Sequence, residues 1–159
     1  MVLPIIRLQA SDGRLFAIDR KAAEMSTLVY NAIDDVGPSS EPIPVFNVAG
    51  DTLAMVVEYC VHHKDDVRLR KDVADLLQDD ALLEPWDRRF LDMDDDTLLR
   101  VLCAADYLGI DALVELCCLG IARIIRDPPV DAIRSRFGIV NDFPAAQLAQ
   151  ITAEAAWYD

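Results

Sequence analysis

His62-His63 and Cys117-Cys118 are the side chains of this sequence best suited to chemistry, and each pair is spaced wrongly for it. Neighbours on a helix point about 100° apart, so neither pair converges on one metal ion as an i, i+4 pair does. No C-x-x-C occurs, and no cysteine lies at zinc-like spacing beside the histidines, which read as a solvated pair at a helix end. A nucleophilic cysteine needs a base; only the fold could bring His62 or His63 to one, and nothing in the sequence pairs them. Asp94-Asp95-Asp96 reads as negative charge at a helix start, where the macrodipole favours it, rather than as an acid/base pair. The 6 glycines include no G-x-G-x-x-G and no P-loop spacing. The expectation is no catalytic residue, no metal and no cofactor.

The 159 residues suit one domain with an appended helical piece, and 53% hydrophobic content is ample for a core. The net charge of -13, from 28 acidic and 15 basic residues, repels phosphate backbones and anionic headgroups. Neither a nucleic acid nor a membrane is therefore an expected partner. The apolar run at Met1 to Ile6 is too short for a signal-peptide core, and no stretch is long enough to span a bilayer. The 4 cysteines fall inside apolar periodic segments, unlike a disulfide scaffold. These features predict a cytoplasmic and nuclear protein with reduced thiols.

The elements that would position any site are mixed in the first half and helical in the second. Ile5 to Gln9 and Leu15 to Ile18 predict a hairpin around Ser11-Asp12-Gly13. Helix follows from Asp19, with Ala22, Ala23, Met25 and Leu28 on one face, then again to Val36 before Gly37-Pro38. Ile43 to Val48 predicts a third strand, at a sheet edge because of Pro44. Asp51-Thr52 can cap a helix carrying Leu53, Val56, Val57, Cys60 and Val61. A charged connector over about 64–85 contains Leu76, Leu77, Leu82 and Leu83 and so can be partly folded; Pro85-Trp86-Asp87 then opens a short helix. Leu98, Val101, Leu102, Ala105 and Leu108 form a stripe stopped by Gly109. Further helices run from Asp111 to Arg126, over Val130 to Phe137, and from Pro144 through Leu148, Ile151 and Ala155.

The segment Asp111–Arg126 points to function. Its charged residues Asp111, Glu115, Arg123 and Arg126 occupy roughly a third of the circumference, and the rest is apolar. Such a helix must be covered on two sides. Either it is a central core helix, the commoner case for this feature alone, or another protein finishes one side. The helices after Pro128 are too small for a separate globule and suit the second case, clasping an incoming helix with Phe137, Phe143 and Trp157 as large contacts.

Ile6 to Gly13, Tyr59 to Asp66, Trp86 to Leu91, Ala104 to Ile110 and Ile133 to Phe143 together resemble the Skp family, in its order and over nearly the whole chain. The resemblance implies an α/β (α+β) BTB/POZ fold, with a small N-terminal sheet and a mostly helical remainder. It divides the chain into a BTB/POZ domain at 1–127 and a C-terminal helical extension at 128–159. It implies a non-catalytic adaptor that bridges a cullin scaffold and interchangeable F-box proteins in a ubiquitin ligase, with weak self-dimerisation when alone. By position, Cys118, Ile121, Phe137, Ile139, Asn141, Asp142, Phe143 and Trp157 match the F-box side, and Asp106 and Tyr107 the cullin side.

Two departures bear on partners. Asp106 stands where the family usually has Asn, which adds a negative charge at the cullin contact. Pro144-Ala145-Ala146-Gln147 replaces the usual Thr and acidic run, and Pro144 sits one position before the proline that some relatives modify. A subunit serving an F-box protein outside any ligase, in a kinetochore or trafficking complex, is the alternative that Asp106 favours. A small cysteine enzyme is the third.

Overall fold

The computed structural model describes residues 5–37, 41–66, 83–126 and 128–155. Trp157 and most of the connector, including Leu76, Leu77 and Leu82, lie outside them. The chain divides into two compact units, Met1–Arg123 and Ile124–Asp159.

In the first unit, β1 (Ile5–Ala10) and β2 (Leu15–Asp19) form the expected antiparallel hairpin, with Leu8 opposite Phe16. β3 (Ile43–Val45) lies parallel to β1, giving the order β2-β1-β3. The third strand is shorter than its sequence predicts. Phe46-Asn47 turns the chain away, and the Val48 carbonyl then accepts from Ser11 N–H at 2.9 Å. One face of the sheet supplies Leu8, Ala10, Ile18 and Val45 to the core.

Between β2 and β3 come α1 (Arg20–Ala23) and α2 (Thr27–Val36), started by the side chains of Asp19 and Ser26. α3 (Gly50–His63) packs on β2, on α1 and on the later helix over Asp95–Leu108. Its cap is not Asp51-Thr52, because the helix has already begun at Gly50. Gly50 N–H instead donates to the Asp12 carboxylate in the distant hairpin turn at 3.0 Å. Arg14 bridges Asp12 at 2.7 Å and Asp51 at 2.6 Å, fixing the turn to this helix start. Hydrogen bonds from the Arg14 side chain, and then from its backbone, hold the Asp12 carboxyl down at about 2.

Beyond the connector, α4 (Pro85–Phe90) begins with a proline in its first turn, and α5 (Asp95–Leu108) is capped by Asp94, which accepts from Thr97 N–H at 2.9 Å. Leu98, Val101, Ala104, Ala105 and Leu108 of α5 are buried. α5 ends in a Schellman closure: Ile110 N–H reaches Ala105 O at 2.9 Å, and Gly109 N–H reaches Asp106 O at 3.0 Å, with Gly109 at φ 65°. The start of α2 docks on this closure. Ser26 donates its hydroxyl to Leu108 O at 2.6 Å, and Thr27 donates its hydroxyl to Gly109 O at 3.1 Å.

α6 (Asp111–Arg126) follows at once, and its last turn crosses the boundary between the units. The second unit contains α7 (Val130–Arg136) and α8 (Ala145–Ala155). α7 has no buried residue.

Gly109→Ala should cost about 1–2 kcal/mol, because an L side chain resists the left-handed region. The new Cβ would also stand 3.0 Å from the Thr27 Cβ. Urea denaturation of both proteins checks this; equal midpoints would mean the closure tolerates a side chain.

Candidate partner-binding surfaces

Among the described residues, α6 is fully buried along one side only. Leu113, Leu116, Cys117, Leu119 and Gly120 are buried within the first unit. At Gly120 a Cβ would stand 3.0 Å from Leu91 Cδ2 and 3.3 Å from Leu98 Cδ2, so the helix seats where it carries no side chain. On its other side Val114, Ile121 and Ala122 are half-buried, Cys118 is exposed and Ile125 is 44% exposed. Among the described residues, the helix is thus buried along one side and partly exposed along the other.

Cys118 and Ile121 are brought together there, three residues apart and about one turn along the helix. The other described F-box-side residues fall in the second unit, in one continuous stretch from the end of α7 to the start of α8. Phe137 is half-buried at the end of α7, where its N–H donates to Ile133 O at 3.0 Å. Gly138 takes φ 62°, and Ile139 N–H returns to Arg134 O at 2.8 Å, so the chain turns sharply after the helix. Ile139 is then 55% exposed and Phe143 48%, with Asn141 and Asp142 exposed between them. The Asn141 side chain accepts from Phe143 N–H at 3.4 Å, a weak local brace. Trp157 lies outside the described residues.

Sequence reasoning did not assign a contact role to Val130, Val140 and Ile151, which the structure leaves 62%, 80% and 46% exposed. The available signal was the smallness of α7 and α8, which leaves few positions to bury anything.

Asp106 and Tyr107 occupy the last turn of α5, Asp106 exposed and Tyr107 half-buried. The Asp106 carbonyl is engaged by the Gly109 closure, while its carboxylate faces outward. The docked α2 leaves Tyr30 49% exposed.

The residues suited to chemistry differ in burial. Burial pushes the Cys60 and Cys117 thiols up to about 12, while Cys103 and Cys118 are exposed. No group of three metal-ligating side chains occurs among the described residues. No helix among them is long and apolar enough to cross a membrane. The histidines are not the solvated pair that spacing suggests: the His63 side chain is only 9% exposed, between Asp66 and Asp87.

Two family models match the chain: Skp1 family, tetramerisation domain, over residues 4–65, and Skp1 family, dimerisation domain, over residues 111–158. The second match begins at the first residue of α6 and includes α7 and α8. The chain belongs to the Skp1 family. Among its Skp1 relatives is the protein called E3 ubiquitin ligase complex SCF subunit sconC. The Talaromyces stipitatus form is 35% identical over 96% of this chain and 95% of its own length. The Arthroderma benhamiae form is 37% identical over 96% and 93%, and the Aspergillus flavus form 34% identical over 99% and 98%. The mixed α/β architecture expected from the sequence, a small sheet with a mostly helical remainder, agrees with this membership.

A thiol-reactivity titration should show two classes. Cys103 and Cys118 should react readily in the native protein, and Cys60 and Cys117 only after unfolding. Fast labelling of Cys117 in the native protein would reopen the enzyme reading.

Proposed function

We propose that this Skp1-family chain is a non-catalytic adaptor that bridges a cullin scaffold and interchangeable F-box proteins in a ubiquitin ligase. The carrying observation is α6, which seats one apolar side in its own unit and leaves Cys118, Ile121 and Ile125 for a partner. The near-full-length similarity to proteins named as ligase-complex subunits supports the same reading. No reactive centre is needed for it. The adaptor works by holding two proteins within reach of one another, so its chemistry is surface complementarity.

The F-box contacts are Cys118 and Ile121 on α6, and Phe137, Ile139, Asn141, Asp142, Phe143 and Trp157 in the extension at 128–159. Phe143 is the natural anchor: an aromatic side chain supplies large contact area at small entropic cost. The cullin contact is Asp106 with Tyr107, carried by the BTB/POZ portion at 1–127. Alone, the chain would self-associate weakly through its uncovered apolar side chains. The reading places it in the cytoplasm and nucleus, where its four thiols stay reduced.

Asp106 favours a second reading, in which the chain serves an F-box protein outside any ligase. Its exposed carboxylate adds to a strongly negative chain and would disfavour a cullin surface suited to a neutral residue. Co-purification of the tagged chain from its native cell separates the two. Cullin with several F-box proteins supports the ligase adaptor, and F-box proteins without cullin support the second reading.

Phe143→Ala should weaken binding of a purified F-box protein about 30-fold, roughly 2 kcal/mol, with thermal unfolding unchanged. Titration calorimetry reads this, and an unaltered affinity would remove Phe143 from the contact. Asp106→Asn should tighten binding of a cullin N-terminal domain several-fold, most clearly at low salt. No change at any ionic strength would place Asp106 outside that interface.

A further inference from the structure

His63 ends α3 and faces a carboxylate from each of its two ring nitrogens. Nδ1 lies 2.5 Å from Asp66 Oδ2, just past the end of the same helix, and Nε2 lies 2.9 Å from Asp87 Oδ1, in the first turn of α4. A neutral imidazole has one N–H and one lone pair, so one carboxylate would face a lone pair. Only the doubly protonated ring presents a proton to both. Asp87 Oδ1 and His63 Nε2 are both buried with no hydrogen-bond partner outside this ion-pair contact.

Aromatic packing surrounds the pair. His62 stacks on Trp86 at 4.2 Å and 9°, Trp86 stacks on Phe90 at 5.0 Å, and Tyr59 lies 4.4 Å from the His63 ring. The neighbouring cations have partners of their own. Lys64 donates to Asp19, at the end of β2, at 2.7 Å, and Lys21 of α1 donates to Asp65 at 2.5 Å. Arg88, next along α4, donates to Leu83 O at 3.2 Å.

We propose that His63 is a proton-dependent clasp, which fastens α4 to the end of α3 while its ring carries two protons and releases α4 when one is lost. The last turn of α3 favours the cation through the helix dipole. Burial alone would lower the basicity of the ring, but Asp87 and then Asp66 overcome it and raise the His63 pKa above 6.5. The sign follows from that direction. The clasp contributes fully below about pH 6.5 and is lost as pH rises through the raised value. Its release leaves Asp87 Oδ1 and His63 Nε2 buried without a compensating charge, so α4 must move to hydrate them. α4 is capped by Leu91, the side chain that seats α6 at Gly120, so the clasp bears on the floor beneath α6. The proposal does not depend on what the chain binds.

The test is a titration between about pH 5 and 9, where histidine is the side chain that normally changes charge. Trp157→Phe makes Trp86 the single tryptophan, since the chain has 2. Trp86 emission should shift to the red in one transition centred above 6.5, while the His63 ring resonances titrate at the same midpoint. Asp87→Asn should move both midpoints down, His62→Gln should leave the His63 resonances unmoved, and His63→Gln should abolish the emission change. A transition that survives His63→Gln, or one that follows His62, overturns the clasp. If His63→Gln does not fold, the ring titration of the parent protein against Asp87→Asn decides: equal midpoints, or a parent midpoint at or below 6.5, reject it.

Discussion

The seating of α6 at Gly120 is the constraint on which the rest of the molecule turns. With no side chain there, the helix lies against Leu91 and Leu98, and its inner stripe of Leu113, Leu116 and Cys117 goes out of water. That contact also fixes which apolar side chains are left over. A helix apolar over most of its circumference can satisfy only one side against a single core, and rotating it to cover Ile121 and Ile125 would expose the inner stripe. The uncovered surface is therefore a geometric consequence of the core.

Charge is handled in the same economical way. The first unit uses its many carboxylates at helix starts and turns: Asp19 begins α1, Asp94 begins α5, and Asp12 reaches from the hairpin to begin α3. Each places an anion where unpaired N–H groups collect, so part of a strongly negative composition becomes structural. Asp106 is different. Its carbonyl completes the α5 closure, but its carboxylate has no such local use and remains directed outward.

How much was legible in the sequence followed from how far each determinant reaches. Asp94 to Thr97, the stop at Gly109 and the full extent of α6 could be read because their partners lie within a turn or two. The start of α3 could not, since its first N–H is satisfied by a residue in the hairpin turn. His63 was misread as solvated for the same reason: Asp87 reaches it only after the chain has returned. The excess apolar width of α6 was visible, along with Cys118 and Ile121 on it, but which side would be covered depended on Leu91 and Leu98. The docking of α2 on the end of α5 could not be read either, because Ser26 and Thr27 reach carbonyls 82 residues further along the chain.

Pro44 has a consequence for the edge of the sheet. The strand lies at one edge of the three-stranded sheet, where an exposed ladder could template pairing with another chain. A three-residue edge strand whose middle residue has no N–H offers a poor template for such growth. A protein with exposed apolar side chains on a helix thus has one of its sheet edges blunted against fibril-like association. Stickiness is confined to side chains, whose contacts can be selective, and kept from this stretch of backbone, whose hydrogen bonds would accept almost any strand.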